Sequence, residues 1–471
     1  MSSIRPRPPL WSQPISHRPH VPSNPFRTLA FIVLFNSGIF LTFGLLMLLL
    51  PLRLVRQTRP AYARIGKGAF GSLLVLMVQW FAPTEMVISA GEGVQHTNWL
   101  ELDKGGQVRA LNLPDKGVWI ANHSTLVDWI YDWTFAYVSG HHDSLYIALK
   151  SSLRRIPIIG WAAELFNFIF LDRKWETDRQ NFRHQLGRIA RTTMDGGEGE
   201  KAAVLIFPEG TITTENTQGI SARYAEKTGT TDYKHLLIPR STGLFYSLRH
   251  LALTLPNLTL LDLTIAYPVP RQSPSAPDYL FPSSYYDIVP VLLHGISPPE
   301  LHIHLRAYPL SDIPLGDIER LRADPEAECT EQEREAFEKW LEARWVGKDE
   351  LLERFRREGS FNTNRASASS QPKRLCEGLR RRREAAESSS DDEEEDEDER
   401  RPGEYSWRPR LREWWEPFYA FSFFLPLVVS VALWRYRGTI AGGMVVWLSR
   451  LGLRGKGKMG EQSCGCGNGV S

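Results

Sequence analysis

The sequence predicts an α/β fold: a mostly parallel central sheet flanked by helices, with membrane helices toward the N- and C-terminal ends. Three observations predict it. Short apolar runs stop abruptly at polar turns, most clearly within 118–129 (VWIANHSTLVDW). Such runs alternate with helix-length stretches, the pattern of parallel strands joined by crossover helices. Residues 29–50 form a run of 22 positions without a charge, enough to cross a bilayer as a helix.

Residues 1–27 are rich in Pro, Arg and His and read as a disordered N-terminus without the compact pattern of a cleavable signal. A membrane region comes next, over 28–83. After the apolar run come Arg53, Arg56 and Arg59, which favour a cytosolic placement of the chain on their C-terminal side. Arg5, Arg7, Arg18 and Arg27 on the other side weigh against it. A second apolar stretch, 69–82, is short for a span and reads as a helix lying in the interface or packed on the domain. The main domain is expected over 87–310. Its strand candidates are 118–121, 145–149, 168–171, 204–207, 260–266 and 302–307, and its helix candidates 125–138 and 178–194. Residues 214–234 read as a surface loop or short helix. The region 311–358, with apolar residues interleaved among charges, reads as an amphipathic helical extension. Residues 359–406 read as a charged, disordered linker, 407–454 as a return to the membrane, and 455–471 as a Gly-rich tail.

The net charge is +2, but 391–399 is an unbroken run of nine acidic residues, and the rest of the chain carries +11. A basic body suits anionic partners such as nucleotide phosphates, phospholipid headgroups or a membrane surface. No nucleic-acid-binding motif is present, so nucleic acid is not an expected partner. The four cysteines, Cys329, Cys376, Cys464 and Cys466, form no CxxC pair and indicate neither a zinc site nor a disulfide framework. No metal or other cofactor is expected.

The chemistry concentrates in the turn Asn122-His123-Ser124. Asp128 lies five residues after His123, a spacing that does not stack on one face of a regular helix. The two meet if His123 sits in the turn and Asp128 in the first helical turn. The carboxylate then accepts the imidazole N–H, fixes the tautomer and leaves the other nitrogen as a base. Ser124 reads as a helix cap. Alone, a histidine near an aspartate is more often structural. Three more blocks change the weighing: 168–173 (FIFLDR), Phe207-Pro208-Glu209-Gly210-Thr211, and Ile238-Pro239-Arg240-Ser241-Thr242-Gly243. No Gly-x-Ser-x-Gly elbow is present, which disfavours a soluble α/β hydrolase.

In this order the four blocks resemble the glycerolipid acyltransferases, which make phosphatidic acid and remodel lysophospholipids. The resemblance runs from about Trp119 to Pro268. The fourth block, 236–244 (LLIPRSTGL), is similar to the lysophosphatidylinositol and lysocardiolipin branch. The resemblance implies acyl transfer from acyl-CoA, as co-substrate, to the free hydroxyl of a lysophospholipid at a membrane. It places the enzyme in the endoplasmic reticulum membrane as a multi-pass protein with a cytosolic catalytic domain, a mitochondrial membrane being the lesser alternative. It makes His123 the base and Asp128 its orienting partner. Arg173, Glu209, Gly210 and Thr211 would serve the glycerophosphate, with Glu209 positioning rather than touching the phosphate. Pro239 and Arg240 would serve the acyl donor. Lys150, Arg154 and Arg155 would meet phosphates or form a solvated basic face. The competing readings are a CoA-independent transacylase and an inactive lipid-binding scaffold.

Overall fold

The computed structural model describes residues 8–19, 24–94, 97–157, 159–172, 175–197, 199–270, 281–324, 329–362, 403–422 and 437. In chain order the elements are α1 (Pro25–Leu48), α2 (Leu50–Leu54), α3 (Arg59–Phe81), β1 (Glu85–Ala90), β2 (Leu100–Leu102), β3 (Val108–Leu111), β4 (Lys116–Ala121), α4 (Asp128–Val138), β5 (Leu145–Lys150), α5 (Ile159–Leu165), β6 (Ile169–Leu171), α6 (Trp175–Asp195), β7 (Ala202–Ile206), α7 (Glu215–Thr228), α8 (Ser241–Ala252), β8 (Thr259–Ala266), β9 (Glu300–Pro309), α9 (Ile318–Ala323), α10 (Glu331–Glu358), β10 (Glu404–Trp407) and α11 (Glu416–Ala420).

Eight strands form one sheet in the order β10-β1-β9-β8-β4-β7-β5-β6, and β2 and β3 form a separate hairpin. The pairs β8–β4, β4–β7, β7–β5, β5–β6 and β1–β9 are parallel, whereas β8–β9 and β1–β10 are antiparallel. The expected mostly parallel α/β sheet is therefore present. Its central strands are buried on both faces, which is why they read as continuous apolar runs rather than alternating ones. Two apolar layers cover the sheet. One contains α3 and α4, the other α6, α8 and α10.

Helix α10 shows how the second layer is specified. A Thr330/Glu333 capping box starts it and Gly359, at φ +71°, ends it. Phe337, Leu341, Trp345, Lys348, Leu352 and Phe355 recur at three- and four-residue spacing and are buried. Among them Lys348 reaches the sheet, with Nζ 2.5 Å from Asp262 Oδ1 on β8.

Several expectations change. Part of 1–27 is ordered: Leu10–Ser12 and Ile15–His17 form 3-10 turns, Trp11 packs on the core, and Arg18 donates to the Tyr285 carbonyl at 2.6 Å. Prolines fix the backbone dihedral there and the half-buried Trp11 indole packs the segment down. The stretch 359–406 does not end as a linker, because Glu404–Trp407 is a strand on β1 and Glu404 accepts from the buried Ser360 hydroxyl at 2.5 Å. The region 214–234 contains the capped helix α7, the helical one of the two alternatives open in the sequence. The return to the membrane expected over 407–454 lies largely outside the described residues.

Among the described residues two helices are long and apolar enough to cross a membrane, α1 and α3. Their apolar windows differ sharply, 28% buried in α1 and 78% in α3. Helix α3 packs against the domain, one of the two alternatives open in the sequence. Helix α1 instead shows exposed Phe26, Leu29, Val33, Phe40 and Leu48.

Candidate active site

Strands β4 and β7 are parallel neighbours, so the turns after their C-terminal ends lie side by side, the usual place for a site in such a sheet. The first turn carries His123 and the second Glu209. Asn122, fully buried, locks the first turn to β8. Its Oδ1 accepts from Ile265 N at 2.8 Å and its Nδ2 donates to Ile265 O at 2.9 Å. The side chain thus continues the strand pairing after the backbone of β4 has turned away.

Helix α4 begins at Asp128, so His123 lies in the turn and the carboxylate at the helix start. Asp128 is fully buried and accepts from five donors. His123 Nδ1 (2.9 Å), Ser124 N (2.6 Å) and Thr125 N (3.0 Å) meet Oδ2. Thr125 Oγ1 and Tyr267 OH, each at 2.6 Å, meet Oδ1. The helix N-terminus adds a favourable dipole to this carboxylate. With Nδ1 donating to Asp128, Nε2 is the acceptor nitrogen of the neutral ring. The His123 side chain is 20% exposed, and its ring stacks on Phe207 with centroids 4.3 Å apart. Ser124 does not cap α4 as expected. Its hydroxyl accepts from Asn122 Nδ2 at 3.0 Å, and Asp128 itself satisfies the turn's N–H groups.

Glu209, 2% exposed, braces three segments. Oε1 accepts from His123 N at 3.1 Å. Oε2 accepts from Thr213 Oγ1 at 2.8 Å and Leu237 N at 3.2 Å. In return Thr213 N donates to His123 O at 2.8 Å, so both backbone groups of His123 are held by the second turn. Gly210 has φ +70°, the left-handed conformation that glycine adopts without a Cβ penalty. A Cβ at Gly210 would stand 3.4 Å from the Arg240 side chain, and Arg240 N donates to Pro208 O at 2.8 Å. The third and fourth blocks therefore meet. Thr211 N–H makes no hydrogen bond among the described residues. Pro239 lies in the segment leading into α8, and Arg173 lies outside the described residues.

Sequence reasoning missed the supports of these groups. Tyr267 stands just past β8 and reaches Asp128 from more than a hundred residues away. Helix α10 holds the fourth block: Trp345 Nε1 donates to Leu237 O at 3.0 Å, and Asp349 accepts from Lys234 N (3.0 Å) and His235 N (2.7 Å). The extension is thus part of the site's frame. Only the short spacing Tyr267-Pro268 after an apolar run offered a signal for the tyrosine. Among the described residues no group of three or more His, Cys, Asp and Glu side chains is placed to hold a metal ion.

Burial pushes the Glu209 carboxyl up to about 7 from its ordinary 4.5, against the pull of its three donors. A raised carboxyl contributes stability that is fully present below its unfolded value and is lost as pH rises through the folded one. The shift corresponds to about 3 kcal/mol at most. Melting temperature is therefore expected to fall between about pH 4 and about pH 8, most steeply between 4.5 and about 7, and Glu209→Gln should flatten that decline. The amide cannot accept from all three donors, so the variant should also start lower. An equal pH slope in the variant would remove Glu209 as its source.

Residues 107–267 match the family model described as Acyltransferase. The chain is 32% identical over 301 residues to an uncharacterised acyltransferase of Schizosaccharomyces pombe, covering 64% of this chain and 76% of that protein. It is 32% identical over 277 residues to 2-acyl-1-lysophosphatidylinositol acyltransferase of Saccharomyces cerevisiae, covering 53% of this chain and 64% of that one. It is also 32% identical over 241 residues to lysocardiolipin acyltransferase 1 of Gallus gallus, covering 51% and 54%. The match thus spans under two thirds of the length of the latter two. With the paired turns of β4 and β7 lying inside the matched segment, the chain belongs to the acyltransferase family.

Proposed function

We propose that this chain transfers a fatty acyl group from acyl-CoA to the free hydroxyl of a lysophospholipid, lysophosphatidate or lysophosphatidylinositol, at the endoplasmic reticulum membrane. The observation that carries the reading is the His123–Asp128 pair with Nε2 left as an acceptor. A thioester is already activated, whereas an alcohol is a poor nucleophile until its proton is removed. The hydroxyl oxygen attacks the thioester carbonyl carbon while His123 Nε2 takes the proton. Asp128 stabilises the imidazolium that forms. The tetrahedral intermediate collapses, the C–S bond breaks, and the CoA thiolate takes the proton back from His123. The products are a phospholipid ester and CoA. No enzyme nucleophile is needed, because the acceptor brings its own hydroxyl.

The free N–H of Thr211 is the oxyanion donor in this reading, because those of His123, Ser124 and Thr125 are occupied by Glu209 and Asp128. Glu209 holds the two turns in register. Arg173 is assigned to the acceptor phosphate, and Pro239 and Arg240 to the acyl donor. The exposed apolar surface of α1 supports membrane association, and Leu126, 47% exposed in the histidine turn, offers apolar contact beside the base. The names of the relatives support a lysophospholipid acceptor. The test is transfer of labelled oleoyl-CoA to a panel of lysophospholipids, with product identified by headgroup.

Tyr267 is a positioning residue in this scheme. Tyr267→Phe removes one of five donors to Asp128 while keeping the ring against Tyr131 and Tyr286. We expect kcat to fall about tenfold, the worth of one hydrogen bond to a charged group, with KM for both substrates unchanged. A rise in KM with constant kcat would contradict this role.

A further inference from the structure

We propose that Arg53, Arg188 and Arg191 form a binding site for the phosphate headgroup of an anionic phospholipid, at the corner between α1 and α3. Arg188 is half-buried on α6. Its Nε has almost no solvent contact and no hydrogen-bond partner among the described residues. Arg53, Arg154 and Arg191 all lie within electrostatic reach of it.

The packing explains the convergence. Gln185, one turn before Arg188, accepts from Phe170 N at 2.9 Å, which lays that face of α6 on β6. The Arg154 guanidinium sits 5.2 Å from the Phe170 ring centroid. From the other side, Arg56 Nε lies 2.7 Å from Asp195 Oδ1, tying the corner to the last turn of α6. Arg59 Nε donates to Arg53 O at 3.3 Å and fixes the corner's shape. The nearby carboxylates are spoken for: Asp195 pairs with Arg56 and Arg59, and Glu164 with Arg154. Among the described residues Arg53, Arg188 and Arg191 form no ion pair. Guanidiniums gathered without a counter-charge repel, and a phosphate that accepts paired charge-assisted bonds offsets this.

The rim selects a lipid over a soluble phosphate. Leu54 is 72% exposed, Leu50 39% and Trp161 50%, and the Trp161 ring lies 6.0 Å from Phe43 on α1. An arginine cluster bordered by exposed leucines and a tryptophan, at the end of an apolar helix, matches the level where headgroups meet acyl chains.

The proposal does not rest on the acyl-transfer reading and is tested by binding. The full chain in a neutral detergent would be titrated with dihexanoyl phosphatidylglycerol, dihexanoyl phosphatidylcholine, inorganic phosphate and CoA. Wild type should bind the anionic lipid in preference to the zwitterionic one. Arg188→Gln and, separately, the pair Arg53→Gln with Arg191→Gln should each weaken that binding about tenfold or more, leaving CoA binding unchanged. The double variant keeps the test intact should Arg188→Gln fold poorly. Unchanged anionic-lipid binding in a folded variant would overturn the site. Inorganic phosphate binding as tightly as the lipid, or a matching loss of CoA binding, would overturn the lipid assignment.

Discussion

His123→Ala is expected to lower kcat for acyl transfer by about two to four orders of magnitude, the contribution typical of a positioned base. Folding should survive the change. The backbone N and O of His123 are held by Glu209 and Thr213, which the substitution leaves in place. What the fold loses is the stacked contact with Phe207, worth about 1 kcal/mol, and the Nδ1 hydrogen bond to Asp128, whose Oδ2 keeps the Ser124 and Thr125 N–H donors. A melting temperature within a few degrees of wild type, with activity gone, is the expected combination. Activity that persists in the folded variant would remove His123 as the base.

Asp128→Asn should have the second largest effect, and it isolates charge from geometry. Three N–H donors meet Oδ2, so the asparagine oxygen must take that position. The amide NH2 then faces Thr125 Oγ1 and Tyr267 OH, hydroxyls that can turn to accept. His123 Nδ1 keeps its acceptor and the tautomer is preserved. Only the negative charge that stabilises the imidazolium is lost. A fall in kcat of about a hundredfold with KM unchanged is expected. Near-wild-type kcat would show that Asp128 only orients the ring. Asp128→Ala should cost more, because it strands five donors in a buried site.

The catalytic turns were legible because each is local. An apolar strand, a polar turn and a short spacing to Asp128 are adjacent in the chain, and the same holds for the run into Phe207 and Glu209. The central strands were legible because burial on both faces makes them continuous apolar runs. Strands β2, β3 and β10 were not, since edge and hairpin strands are short and carry polar residues, and β1, an interior strand, was not because its apolar run is only Met86-Val87-Ile88. Glu404–Trp407 comes after a charged stretch and becomes a strand only by pairing with β1. The supports of the site were illegible for the same reason. Tyr267 reaches Asp128, and Trp345 reaches the fourth block, only once the sheet is assembled. Ser124 misled because a serine before a helix usually caps it, whereas here Asp128 takes the turn's N–H groups from inside the helix.

The most direct measurement is acyl transfer by membranes containing the full chain, using labelled oleoyl-CoA or a labelled phospholipid as donor. The acceptors would be lysophosphatidate, lysophosphatidylinositol, lysophosphatidylglycerol and lysocardiolipin, with His123→Ala alongside. Label moving from oleoyl-CoA to a lysophospholipid, and lost in the variant, is the result this account predicts. Label moving only from the phospholipid donor, or no transfer by folded protein to any acceptor, would contradict it.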